Sequence, residues 1–91
     1  MTYNGVRYDD LRHAAEVLVT CLDHDPERAG VRETPGRFAD AMLELTHGYR
    51  DNPDTWWKTF DAEGADQMIC QWNIPLYSLC EHHLLPFFGQ A

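Results

Sequence analysis

The stretch Ile74-Pro75-Leu76-Tyr77-Ser78-Leu79-Cys80-Glu81-His82-His83-Leu84-Leu85-Pro86-Phe87-Phe88-Gly89 sets two short apolar runs on either side of the densest cluster of reactive side chains in the chain. Leu76 to Leu79 and Leu84 to Phe88 have the length and composition of strands, the second broken by Pro86 and closed by Gly89. Upstream, Met68, Cys70, Trp72 and Ile74 alternate with Ile69, Gln71 and Asn73, which predicts a strand from about Gln67 with at least one buried face. Pro75 places that strand on an edge, at a bulge or at its end, and Leu76 to Leu79 would resume it. A lone pair of strands is rarely stable in water, so the sheet needs further strands from elsewhere.

The region before it follows a different period. Leu11, Ala14, Ala15, Leu18, Cys21 and Leu22 recur at spacings of three and four, which predicts an amphipathic helix from Asp9 to about Asp25, with Asp9 or Asp10 as cap. Pro26 should end it, and residues 27–33 read as a loop. Thr34-Pro35 is a helix start, with Thr34 as N-cap and Pro35 at the first position, where a missing N–H costs nothing. That helix should run to about His47 on a stripe of Phe38, Met42 and Leu45 beside Ala41, with Gly48 as its left-handed terminator. Asn52-Pro53 offers a weaker start of one or two turns through Trp56, Trp57 and Phe60, and Asp61-Ala62-Glu63-Gly64 reads as a loop.

Composition narrows the function. Ninety-one residues amount to one small domain at most, burying about 60 to 65% of its unfolded surface, so a partner or a metal would help it fold. Seven Lys and Arg against 15 Asp and Glu give a charge of −8, which argues against sequence-independent nucleic-acid or anionic-membrane binding. No apolar run is long enough to span a bilayer. Met1-Thr2-Tyr3-Asn4-Gly5 lacks the features of a signal peptide, which makes the cytoplasm the default compartment. Three cysteines then read as thiols or ligands and not as a disulfide framework. Every Lys and Arg lies at or before Lys58, so Cys80, His82 and His83 have no cation near them in sequence.

Cys80 and His83 are three residues apart, a spacing that lets a thiolate and an imidazole converge on one tetrahedral Zn²⁺. His82 would then be free to act as acid or base. A bare Cys-x-x-His also arises by chance, and the spacing fits a small buried Cys80 beside an ordinary polar turn equally well. Trp56, Trp57, Phe60 and Trp72 read as core or subunit-contact residues in preference to a base-stacking platform. Cys21 and Cys70 read as buried thiols, Cys70 being the one a neighbouring strand could bring to the metal.

The stretch from Ile74 to Gly89 closely resembles the signature of the GTP cyclohydrolase I family, zinc enzymes that open the first step of folate and pterin synthesis. Glu33-Thr34-Pro35-Gly36-Arg37-Phe38-Ala39-Asp40-Ala41-Met42, with the later Gly48-Tyr49, resembles the same family's helix start. The resemblance covers most of residues 9–91, and residues 1–8 are expected to be a tail. It implies an α+β tunnelling fold (T-fold), with helices packed on an antiparallel sheet that assembles across subunits into a ring. It also implies that Cys80 and His83 bind Zn²⁺, that His82 is the catalytic histidine, and that Arg37 reaches the triphosphate of GTP in a neighbouring subunit. The implied chemistry is hydrolysis at C8 of the guanine, with zinc lowering the pKa of bound water toward ~7 and His82 protonating the departing nitrogen. Formate and 7,8-dihydroneopterin triphosphate are the expected products. Glu81 either orients an imidazole or faces water.

The family's domain continues past the position of Gly89 through further strands and two helices. The third zinc ligand, the guanine-reading carboxylate and most of the phosphate-binding cations are expected there. Three expectations follow: an amino-terminal part of an enzyme that needs a complementing carboxy-terminal half, a non-catalytic module that joins homologous subunits, or a small zinc-binding protein that uses Cys70 or another histidine.

Overall fold

The computed structural model describes all residues except 1, 4, 5, 62 and 65. It divides into two compact units, Met1–Arg50 and Asp51–Ala91.

In the first unit, β1 (Thr2–Tyr3) and β2 (Val6–Arg7) pair antiparallel, and the chain passes directly into helix α1 (Tyr8–Leu22). The expected tail over residues 1–8 includes Met1, Asn4 and Gly5, which lie outside the described residues. Because α1 begins at Tyr8, Asp9 and Asp10 fall in its first turn and do not cap it. There they favour the helix dipole, and Asp10 pairs with Arg7. The helix stops short of Pro26, at Asp23, whose backbone is extended (φ −106°, ψ 142°).

Residues 23–33 form a run of turns. Backbone bonds join Arg28 to Asp25 (3.2 Å), Val31 and Arg32 to Arg28 (3.1 and 3.0 Å), and Thr34 to Val31 (3.0 Å). The Asp23 carboxylate clips them, accepting from Arg28 Nη2 (2.6 Å), Arg28 Nε (3.1 Å) and the Asp25 amide (3.0 Å). The Arg28 guanidinium, helped by that amide, holds the Asp23 carboxyl well below the usual carboxylate range. A carboxylate with a lowered folded pKa stabilises the fold above its unfolded value of about 3.9, and that contribution is lost as the pH falls toward the folded value. Arg28→Gln is therefore expected to lower Tm by a few degrees at pH 7, with the gap to wild type narrowing below about pH 4, as read by circular dichroism melts.

Helix α2 (Thr34–Leu45) starts one residue earlier than expected, with Glu33 as N-cap and Pro35 in its first turn. It packs on α1. The closest packing is between small residues: Ala15 of α1 is 1% exposed and Ala39 of α2 is 0% exposed. Pro35 is buried as well, and Leu11, Val19, Phe38, Met42, Leu43 and Leu45 are half-buried around them. The apolar stripe thus runs through Ala39, two residues before the expected Ala41, which is exposed. Leu18, Leu22 and Cys21, expected on the covered face of α1, are exposed too. Tyr8 reaches across from α1, its hydroxyl donating to Asp40 Oδ1 at 3.0 Å.

Gly48 does not terminate α2. It lies in a 3₁₀ turn, His47–Tyr49, while the helix end is satisfied by side chains. Thr46 Oγ1 donates to the Met42 carbonyl (2.7 Å), and Arg50 donates to Thr46 Oγ1 (3.1 Å) and to the Leu43 carbonyl. A cation on the last carbonyls does what a left-handed glycine would otherwise do.

In the second unit, the expected helix after Asn52-Pro53 is a single 3₁₀ turn, Pro53–Thr55, capped by the Asn52 side chain on the Asp54 amide at 3.0 Å. Trp56, Trp57, Phe60 and Trp72 are 57, 75, 86 and 74% exposed and so do not form a core within the chain. The expected loop Asp61 to Gly64 includes Ala62, which lies outside the described residues. Glu63 (φ 51°) and Gly64 (φ 80°) in it take left-handed conformations that suit a reversal.

The predicted strand at 67–74 is absent. The sheet is a hairpin of β3 (Pro75–Leu79) and β4 (Pro86–Gln90), paired antiparallel with Pro75 opposite Gln90 and Leu79 opposite Pro86. Ile74 and Ala91 exchange both backbone bonds (3.1 and 2.9 Å), which fixes the alternation of the ladder. Counting inward, Pro75 and Pro86 both fall at pairs that make no ladder bonds, so neither missing N–H interrupts the sheet. Among the described residues no helix is long and apolar enough to cross a membrane.

Candidate metal centre

The hairpin places the reactive cluster at its tip. Cys80 follows β3 and Leu85 precedes β4, and the Cys80 amide donates to the Leu85 carbonyl at 2.9 Å as the last rung of the ladder. Between them Glu81, His82 and His83 turn, and Leu84 closes the loop with a left-handed backbone (φ 54°). A branched side chain at positive φ costs about 1–2 kcal/mol, and such strain concentrates at functional sites. The Leu84 amide donates to the Cys80 carbonyl (3.1 Å), and the Leu85 amide donates to Cys80 Sγ (3.4 Å).

This turn brings Cys80 Sγ and His83 Nδ1 to 4.0 Å. A sulfur and a nitrogen on one tetrahedral zinc stand roughly 3.6 Å apart, given Zn–S near 2.3 Å and Zn–N near 2.0 Å. The pair meets that requirement after closing by a few tenths of an ångström. The charged form of Cys80 is favoured as well: the Leu85 amide first, and the amides of His83, His82 and Leu84 after it, lower the thiol pKa against the opposing effect of burial. A thiolate and an imidazole are the ligand types zinc prefers, so the residues present fit part of a zinc site.

His82 stands beside His83. Its ring centre is 6.3 Å from that of His83, the two planes are tilted by 53°, and the side chain is exposed. Glu81 is exposed. Among the described residues no group of three or more His, Cys, Asp and Glu converges on one point, so Cys70, which is exposed, does not join Cys80 and His83. The expectation that Cys21 and Cys70 are buried thiols is corrected too: Cys21 in α1 and Cys70, in the run that forms no strand, are both exposed.

Arg37 belongs to the first unit, in the opening turn of α2. Its Nη2 pairs with Glu33 Oε2 at 2.8 Å, one helical turn back, and both side chains are largely exposed. An exposed pair of this kind contributes at most about 1 kcal/mol, so an anion of higher charge could displace Glu33. Nothing in the residue types marks the left-handed backbone at Leu84, since leucine carries no preference for it.

The family model for GTP cyclohydrolase I matches residues 11–91. Among curated relatives, GTP cyclohydrolase 1 of Nitrosospira multiformis is 47% identical over 76 residues, covering 81% of this chain and 40% of that protein. The proteins of the same name from Chlorobium chlorochromatii and Neurospora crassa are 40% and 41% identical over 89 and 85 residues. These matches take in 97% and 92% of this chain but 40% and 27% of theirs. The chain therefore spans less than half the length of these relatives.

Proposed function

This chain belongs to the GTP cyclohydrolase I family, and from that premise we propose that it supplies the amino-terminal part of the hydrolase that opens the imidazole ring of GTP. Residues 9–91 are that part of the domain, and the remaining strands and helices of a T-fold come from sequence the chain does not span. The observation that carries this reading is the approach of Cys80 Sγ and His83 Nδ1 to 4.0 Å at the hairpin tip.

In this reading Cys80 and His83 hold Zn²⁺, and a further ligand comes from the rest of the family's length. When bound, the metal supplies Lewis-acid activation of the hydrolytic water. The chain's own residues then have separable tasks. His82, exposed beside the ligand pair, donates a proton to the imidazole nitrogen of guanine as its bond to C8 breaks, and C8 leaves as formate. The product class is 7,8-dihydroneopterin triphosphate, at the first step of folate and pterin synthesis in the cytoplasm. Arg37 exchanges Glu33 for the triphosphate, acting in a neighbouring subunit.

A ring-forming homo-oligomer or a complementing carboxy-terminal fragment is the partner. The hairpin supports this: two strands with both faces largely exposed, including Tyr77, Phe87 and Phe88, are marginal alone and gain from further strands. The same exposure favours one alternative, a catalytically inactive relative that joins or alters such assemblies. Formate release from GTP by the purified chain, alone and mixed with the carboxy-terminal half of a relative, decides between them. Formate from the mixture is expected, and a folded, zinc-loaded mixture that assembles without producing any formate would leave the inactive module standing.

A further inference from the structure

We propose that Leu84 is a positioning residue of the metal centre: its left-handed backbone takes the Cys80 carbonyl for its own amide and thereby assigns the Leu85 amide to Cys80 Sγ. The inference rests on Cys80 and His83 being the ligands proposed above.

Cys80 and Leu85 occupy a hydrogen-bonded rung of the ladder, where two opposed residues ordinarily exchange both N–H···O bonds. Here one of the two is made, from the Cys80 amide to the Leu85 carbonyl at 2.9 Å. The return bond is replaced. The Cys80 carbonyl accepts from Leu84 at 3.1 Å, and the Leu85 amide donates to the sulfur at 3.4 Å. The exchange needs the chain to reverse at residue 84, and φ 54° is that reversal. At negative φ the Leu85 amide would return to the carbonyl, and the sulfur would lose its closest donor.

An amide on the sulfur fixes the direction of the side chain, and with it the place where the sulfur meets a metal. Groups that orient ligands in this way change metal affinity by about 10- to 100-fold. The Leu84 side chain is 67% exposed, so the requirement at this position falls on the backbone and not on packing.

The test uses the whole chain with Co²⁺ as probe, followed by the thiolate-to-cobalt charge-transfer absorption, together with the Leu85 amide proton shift of the metal-free chain. Valine is disfavoured at positive φ, whereas glycine and asparagine accept it. Leu84→Val is expected to weaken Co²⁺ binding by about tenfold and to move the Leu85 amide upfield. Leu84→Gly and Leu84→Asn remove the side chain but keep the turn, and both readouts should stay close to wild type. Wild-type behaviour of Leu84→Val in both readouts overturns the proposal. So does a loss in Leu84→Gly and Leu84→Asn as large as in Leu84→Val, since that would assign the effect to the side chain. A wild-type chain without the cobalt–thiolate band overturns the ligand assignment instead, and the Leu85 shift then still reports on the hydrogen bond.

Discussion

Cys80→Ser is expected to remove bound zinc from the chain and formate release from the complemented assembly, whereas His82→Ala is expected to remove the second alone. The difference follows from what each side chain offers. Serine keeps the size of Cys80 and the backbone rung to Leu85, but at neutral pH its hydroxyl remains protonated and is a hard, weak ligand. His83 would then face the metal by itself. The loss of affinity should exceed the roughly 10- to 100-fold that orienting groups are worth, because a ligand and not its support has gone. His82 is tilted 53° from His83 with its ring centre 6.3 Å away, so its removal leaves the ligand pair intact. A proton donor positioned on a breaking bond contributes typically 10²- to 10⁴-fold, and that is the fall expected in turnover for His82→Ala at unchanged zinc content. Metal analysis of both purified variants, beside their formate production with a carboxy-terminal half supplied, checks the pair. Zinc retained in full by Cys80→Ser would exclude the hairpin tip as the metal centre.

The elements held by local rules were legible in the sequence. Spacings of three and four located α1 and α2 to within a few residues, and Thr34-Pro35 placed the start of the second to within one residue. The hairpin tip was legible from Cys80-Glu81-His82-His83 between two apolar runs. What the period could not show was which strands find partners. Met68, Cys70, Trp72 and Ile74 alternate as well as any strand, yet a strand exists only where its amides and carbonyls are paired, and the described residues offer them no second ladder. Asn73 moreover takes a positive φ of 59°, which breaks an extended run just before the ladder begins at Ile74. Burial failed for a related reason. Aromatic residues predict a core only if the chain supplies something to cover them, and Trp57 and Trp72 remain open to solvent at 75% and 74%. Helix ends were misjudged where side chains did the capping, as Arg50 and Thr46 do at the end of α2.

Ala39→Glu is expected to unfold the helical unit, while Ala41→Glu, two residues on, leaves it folded. The sequence alone favours the opposite ranking, because Ala41 stands beside the apolar positions Phe38, Met42 and Leu45. In the structure Ala39 is 0% exposed and, with Ala15 at 1%, marks where the packed helices leave no room for anything larger. A glutamate there must either force the helices apart, losing the half-buried contacts of Leu11, Val19, Phe38 and Met42, or keep a carboxylate out of water with no partner. Overpacking alone costs about 1–3 kcal/mol, and an unpaired buried charge several more. A unit of this size has roughly 3–7 kcal/mol of stability to lose at the usual 0.05–0.15 kcal/mol per residue. The variant should therefore show no cooperative helical melt. At the exposed position 41 the new carboxylate meets Arg37 four residues before it and Glu44 three residues after it, opposing effects of a few tenths of a kcal/mol. Far-UV circular dichroism of the two variants through a thermal scan separates them, and a cooperative, wild-type-like transition in Ala39→Glu would show that α1 and α2 do not meet at Ala15 and Ala39.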